Sequence, residues 1–153
     1  LEIMKDSHIG TFGVIAVVGE ILCKSLMVME LFSGAREWVL YGVIAAVPVI
    51  SRMTMALIIY ISRYARKEGM GGLFFSYKRS MNLPVALILG LVFSLTAWHY
   101  APLLIVVSIL CGLAVRALCY HKIGGMTGDT LGAMLEFAEA VMLLAAVVFH
   151  TIL

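Results

Sequence analysis

Three carboxylates near the end of the sequence are spaced to share one face of a helix. Asp129, Glu136 and Glu139 stand seven and three residues apart in GDTLGAMLEFAE, and residues at such spacings lie on one side of an α-helix. At 1.5 Å per residue they extend over about 15 Å, so they cannot all bind one ion. Asp129 is predicted to be a catalytic residue and a metal ligand. Glu136 is either a second metal ligand or, like Glu139, a hydrogen-bond acceptor in helix packing.

Two glycine-rich segments could bind phosphate. They are KEGMGGLF, residues 67–74, and KIGGMTGDTLGA, residues 122–133. Glycine lets backbone N–H groups approach an anion, and a helix N-terminus adds positive potential, although neither segment is a GxxxxGK[ST] loop. The residues predicted to shape this backbone are Gly69, Gly71, Thr127 and Gly128. As an alternative, Gly128 and Gly132 form a GxxxG step that would serve close helix contact.

Basic and hydroxyl side chains beside these segments could neutralise and orient a phosphate. The stretches KDSHIGTFG and YARKEGMGG supply them. The predicted ligands are Lys5, Ser7, Thr11, Arg66 and Lys67, with Asp6 as a further catalytic carboxylate. Alternatively, cations at the end of a membrane helix serve to attract anionic lipid.

Charged residues also fall within the apolar stretches of the first half of the chain, where a charge is costly in a membrane. Arg52 follows Pro48 by four residues in PVISRMTM, and Pro48 removes one helix hydrogen bond. Arg52 is therefore either buried against freed carbonyl groups or a catalytic, anion-binding residue that faces a polar cavity. Glu20 and Lys24, four residues apart, are predicted to pair within one helix.

Long apolar blocks must position these residues. Apolar residues make up 63% of the 153 residues and charged residues 13%, whereas soluble domains are nearer half apolar and a quarter charged. A helix of about 20 residues crosses a bilayer core, so the sequence predicts an all-α, polytopic transmembrane bundle. The five predicted spans are Phe12 to Leu31, Trp38 to Ile61, Leu83 to Ala101, Pro102 to Cys119 and Leu131 to Leu153. The aromatic residues at 98–100 are predicted to form the turn between the third and fourth spans.

Basic residues collect on one side of the predicted membrane. That side holds the N-terminal segment and the connections at 62–82 and 120–130, whereas the other side carries only Arg36. The positive-inside rule makes the first side cytoplasmic and places the C-terminus outside. The net charge of +2 favours no nucleic-acid partner. The three cysteines are predicted to be reduced packing thiols, and the scattered histidines indicate no zinc site.

Three motifs, in order along the chain, resemble the cobalamin synthase family of adenosylcobinamide-GDP ribazoletransferases. They are KDSHIGTFG, PVISR followed by YARKEGMGG, and KIGGMTGDTLGAMLEFAE, of which GGMTGDTLGA is the most diagnostic. The resemblance identifies residues 1–153 as the C-terminal membrane portion of such a protein. It implies Mg²⁺-assisted transfer, in the bacterial inner membrane, of adenosylcobinamide phosphate from adenosylcobinamide-GDP to α-ribazole or its 5′-phosphate. GMP is released in this last step of nucleotide-loop assembly in vitamin B12 biosynthesis.

The family's aspartate-rich segment, DGxADxxDG, would precede the KDS motif and does not occur in this sequence. We therefore expect the main Mg²⁺ ligands and at least two further spans upstream, and we expect the 153 residues alone to be inactive. Two alternatives stay open: a CDP-alcohol phosphotransferase-like membrane enzyme, and a membrane transporter subunit that uses Arg52 and the two glutamates. The sequence also leaves homo-oligomer formation open.

Overall fold

The computed structural model describes residues 10–34, 36–66, 69, 71–76, 82–97 and 101–152. Within these ranges the chain forms six helices: α1 (Thr11–Gly34), α2 (Glu37–Ile61), α3 (Gly72–Ser76), α4 (Asn82–Ala97), α5 (Ala101–Ile123) and α6 (Gly128–Ile152). Four of them, α1, α2, α5 and α6, are long and apolar enough to cross a membrane, and α4 contains a shorter apolar stretch, Leu83–Leu95. The predicted all-α membrane bundle is confirmed.

Each predicted span corresponds to one helix, although Ala101, predicted to end the third span, is the first residue of α5. The boundary between the last two spans also differs from the prediction. α5 continues past Cys119 because no glycine or proline interrupts it before Gly124, whose φ of +73° leaves the helical region. α6 begins at Gly128 instead of Leu131, which places Asp129 in its first turn. The short α3 was not predicted, and the predicted turn at 98–100 lies outside the described residues.

α2 is the central helix of the bundle and packs against α1, α4, α5 and α6. One buried cluster near its start includes Val43, Ile50 and Leu104, and a second near its end includes Ile58 and Met134. Between them, the hydroxyls of Thr54 and Ser108 form a buried hydrogen bond of 2.8 Å that joins α2 to α5. Interhelical hydrogen bonds of this kind help to hold helices together in a bilayer, where apolar burial gives little driving force.

The cysteines are free thiols, as predicted. Cys119 is buried, Cys111 is half-buried and Cys23 is exposed. Only Cys119 therefore fills the packed interior of the bundle, whereas Cys23 lies on the outer surface of α1 among exposed apolar side chains such as Leu22 and Leu26.

Candidate active site

A short backbone bridge joins the end of α2 to the start of α6. The N–H of Met126 donates to the Arg63 carbonyl at 3.0 Å, and the N–H of Ala65 donates to the Met126 carbonyl at 2.8 Å. Gly125 permits this approach, because a Cβ there would lie 2.7 Å from the Arg63 oxygen. We call this region, residues 61–66 and 116–130, the basic end of the bundle.

Thr127 begins α6 as its N-cap. Its Oγ1 accepts the Thr130 N–H at 3.2 Å, and Thr130 Oγ1 accepts the Thr127 N–H at 2.8 Å. This reciprocal pair is a capping box with threonine in place of the usual Glu or Gln. The buried Thr127 hydroxyl is thus committed to the helix start, so the predicted phosphate contact would have to come from the backbone around it.

Asp129 and Arg66 form an ion pair at this helix start. Arg66 Nη2 lies 3.0 Å from Asp129 Oδ2, the Arg66 side chain is 20% exposed and the Asp129 side chain is 63% exposed. A carboxylate in the first turn of a helix is stabilised by the helix dipole. Two predicted site residues from separate segments therefore meet, and the carboxylate remains accessible to a ligand.

The two glycine-rich segments also meet at this point. A Cβ on Gly71 would lie 3.1 Å from the backbone nitrogen of Gly128 and 3.1 Å from the Tyr64 ring. Gly69 has a φ of +142°, and a Cβ there would lie 2.6 Å from the Tyr64 hydroxyl. These glycines leave room both for Tyr64 and for access to the first N–H of α6. At Gly132, in contrast, an added Cβ would have nothing within 4 Å, so the described residues do not show the predicted GxxxG helix contact.

Of the remaining candidates in the N-terminal and basic stretches, the structure describes one. Thr11 is the exposed first residue of α1. Four others, Lys5, Asp6, Ser7 and Lys67, lie outside the described residues.

A second charged cluster joins α1, α2 and α6 within their apolar spans. We call it the interior ion network, and its members are Glu20, Lys24, Ser51, Arg52, Glu136 and Glu139. Lys24 Nζ lies 3.3 Å from Glu20, 2.6 Å from Glu136 and 3.1 Å from Glu139. Glu139 also accepts hydrogen bonds from Ser51 at 2.8 Å and Arg52 at 3.1 Å. The intrahelical Glu20–Lys24 pair is confirmed, and both later glutamates accept hydrogen bonds between helices.

Arg52 is largely exposed, which does not fit the predicted role of an arginine buried against freed carbonyl groups. Its side chain is 61% exposed and donates to the Pro48 carbonyl at 3.2 Å as well as to Glu139. That carbonyl is not the one freed by the proline, which belongs to Ile44. Arg52 lines a groove of about 620 Å³ between α2 and α4 whose other described lining residues are apolar or glycine. The groove is therefore not the polar cavity of the other prediction.

The interior ion network lies far from the Asp129 carboxylate. Ten residues of α6 separate Asp129 from Glu139, which corresponds to about 15 Å along the helix axis. Arg52 contacts Glu139, so the structure does not bring Arg52 together with Asp129.

The described residues do not form a complete metal site. No group of three or more His, Cys, Asp or Glu side chains in the described ranges could hold a metal ion. Asp129 could supply one carboxylate ligand, whereas Glu136 lies about 10 Å farther along α6 and contacts Lys24. A magnesium ion at Asp129 would need its other ligands from elsewhere.

The sequence of this bundle matches one protein family over nearly its whole length. Residues 1–147 match the model of cobalamin-5-phosphate synthase. The chain belongs to this family. An adenosylcobinamide-GDP ribazoletransferase of Escherichia coli O7:K1 (strain IAI39 / ExPEC) is 38% identical over 147 residues, 95% of this chain and 59% of the relative. The ribazoletransferase of Clostridium novyi (strain NT) is 36% identical over 152 residues, 97% of this chain and 59% of the relative.

This cobalamin-5-phosphate synthase family member thus spans about three fifths of the length of the curated relatives it matches. No solved structure matches it.

Two residues that shape the basic end of this cobalamin-5-phosphate synthase family member, Tyr64 and Gly125, were not among the predicted site residues. Tyr64 fills the space between the glycines and lies 5.3 Å from Phe75, centroid to centroid. Gly125 allows the bridge between residues 64 and 126. An aromatic residue five to eight positions before a glycine cluster is a signal that could have identified Tyr64, because a ring needs the room that glycine leaves.

Proposed function

We propose that this protein forms part of a membrane ribazoletransferase that moves adenosylcobinamide phosphate from adenosylcobinamide-GDP to α-ribazole or its 5′-phosphate and releases GMP. Family membership and the names of the relatives support this reaction. The structural observation that carries it is the Arg66–Asp129 pair at the glycine-lined start of α6. Cation, carboxylate and exposed helix N-terminus are the groups that phosphoryl transfer requires.

The reaction is a displacement at phosphorus. A ribose hydroxyl oxygen of α-ribazole forms a bond to the phosphorus that carries cobinamide, and the bond from that phosphorus to the oxygen bridging to GMP breaks. GMP leaves with the electron pair, and the hydroxyl loses its proton. Asp129 would accept this proton, Arg66 would neutralise the diphosphate, and the first N–H groups of α6 would bind its oxygens.

We also propose that the reaction uses magnesium. When bound, the ion would neutralise negative charge on the diphosphate. Asp129 would supply one carboxylate ligand, and the described residues supply no complete set.

The basic end is proposed to face the cytoplasm of a bacterial inner membrane, which places the end of α6 outside. Arg63, Arg66, Arg116 and Lys122 lie at or near that end, whereas Arg36 lies at the opposite end of α2. The positive-inside rule supports this orientation.

The role of Asp129 is tested by ribazoletransferase assays on the intact protein with the Asp129→Asn substitution. We expect turnover to fall by about 100-fold or more, the usual contribution of a general base. Glu37→Gln is the matched control, since Glu37 is also an acidic residue in a first helical turn but at the opposite end of the bundle. Wild-type turnover in Asp129→Asn would remove Asp129 from the mechanism.

The coding DNA upstream of Leu1 separates the proposed enzyme from its alternatives. An in-frame DGxADxxDG supports the synthase, whereas a CDP-alcohol phosphotransferase motif or further plain spans would contradict it. In the structure, Arg52 and Glu139 are paired with each other, and this arrangement does not favour the transporter alternative.

A further inference from the structure

Two arginines of the basic end converge on the ring of Tyr120. The guanidinium carbon of Arg116 lies 4.3 Å from the ring centroid and that of Arg63 lies 5.6 Å from it. The two positive charges are therefore within about 10 Å of each other. Tyr120 lies in the last turn of α5, and its hydroxyl accepts the Arg63 backbone N–H at 2.8 Å.

Each arginine is anchored on the end of the other's helix. Arg116, on α5, donates through Nε to Ser62 Oγ and through Nη2 to the Ile61 carbonyl, both at 3.1 Å, at the end of α2. Arg63 follows α2 and donates through Nε to the Gly124 carbonyl at 3.2 Å, just past α5. Cations are favoured at these helix ends, whose last carbonyls have no intrahelical donors.

The anchoring leaves most of the binding capacity of the two guanidinium groups unused. A guanidinium carries five N–H donors; the contacts above use two of them on Arg116 and one on Arg63, and Arg116 also hydrogen-bonds the Tyr120 side chain. Neither arginine contacts a carboxylate among the described residues, because Asp129 pairs with Arg66 and the glutamates of the interior ion network pair with Lys24 and Arg52. Within the described part of the chain, the two positive charges of the cluster therefore have no acidic partner.

The position of the cluster indicates which anion it would meet. Arg63 comes two residues after the apolar α2, and the exposed Leu113 and Leu118 flank Arg116 on α5. Tyrosine rings and arginines that extend towards water are typical of the level of lipid headgroups. Guanidinium groups with paired donors match phosphate oxygens.

We propose that Arg63 and Arg116, held over Tyr120, form a phosphate-binding site at the membrane surface, occupied by an anionic lipid headgroup or by a soluble phosphate. This site uses other side chains than the Arg66–Asp129 pair, and the inference does not rest on the proposed reaction. It predicts that the two arginines act together on one phosphate.

Lipid and soluble probes distinguish the two sources. In detergent, native mass spectrometry of the intact protein would measure retention of phosphatidylglycerol against phosphatidylcholine, and a thermal shift would measure binding of inorganic phosphate. We expect a preference of about tenfold for one phosphate-bearing anion over phosphatidylcholine. The Arg63→Gln/Arg116→Gln double variant is expected to lose this preference. Arg36→Gln, which removes the same charge at the opposite end of α2, is expected to keep it.

The binding results either support the proposed phosphate site or overturn it. Retention of phosphatidylglycerol identifies the lipid source, and a shift with inorganic phosphate alone identifies the soluble source. Equal retention of both lipids by the wild type, with no phosphate shift, would overturn the site. Unchanged binding in the double variant would do the same. If the double variant does not fold, Arg63→Lys/Arg116→Lys keeps the charge but removes the paired donors, and its binding should fall about threefold.

Discussion

The interior ion network and the basic end both place arginines beside carboxylates, but they arrange them differently. In the interior, two cations and three carboxylates from three helices contact one another, so each charge is used within the protein. At the basic end, Asp129 has a single cationic partner in the described part of the chain and is largely exposed. Charges surrounded by lipid must satisfy one another, whereas those at the membrane edge can retain capacity for a ligand. The comparison separates a structural cluster from a candidate site although both contain the same residue types.

The largest expected effect on stability is at the centre of the interior network. Glu139→Gln removes the charge shared by Lys24 and Arg52, and loss of one partner of a largely buried pair costs about 3 kcal/mol. Glu136→Gln is the matched control, because Glu136 pairs with Lys24 alone whereas Glu139 pairs with both Lys24 and Arg52, so a smaller loss is expected. Unfolding of both variants in mixed micelles measures the difference. Equal losses would show that Glu139 is not the centre of the network.

A smaller effect is expected at the backbone bridge of the basic end. In Gly125→Ala the new Cβ would meet the Arg63 carbonyl, and such overpacking costs about 2 kcal/mol. Ribazoletransferase turnover should also fall, because the bridge sets the distance between residues 66 and 129. The control Gly132→Ala adds a methyl group in open space within a helix and should stabilise the protein by about 0.5 kcal/mol. Thermal unfolding of the two variants should show a lower melting temperature for Gly125→Ala and a higher one for Gly132→Ala than for the wild type. Equal melting temperatures would mean that the bridge tolerates a side chain.

The smallest expected effect is at the helix cap. Thr127→Ala removes the hydroxyl that accepts the Thr130 N–H and should cost about 1 kcal/mol. Thr127→Ser retains the hydroxyl and is expected to unfold close to the wild-type temperature. If both variants lose the same stability, the methyl group of Thr127 in its buried site matters more than the cap.

The sequence predicted the spans because their apolar length is a property of each segment alone. It also identified Asp129, Arg66 and the glycine segments as candidates, since residue type and local spacing were sufficient. It did not predict that Arg66 would pair with Asp129, which depends on the bridge between residues 64 and 126. The position of Arg52 was also inaccessible to sequence reasoning, because exposure depends on which helix packs beside α2. The start of α6 was placed three residues too late because a threonine pair forms the cap in place of a more familiar motif.

The Glu20–Lys24 pair has a consequence for how the protein is made. Lys24 and Glu136 are 112 residues apart, so at about 5–20 residues per second the ribosome needs roughly 6–22 s to synthesise the chain between them. During that interval α1 enters the bilayer without the partners that α6 later brings. Glu20, one turn before Lys24, is the only one of the three described carboxylate partners of Lys24 that is already present. The intrahelical pair therefore lets α1 insert as an internally neutralised segment, and Lys24 keeps Glu20 as a partner when it gains the two glutamates of α6.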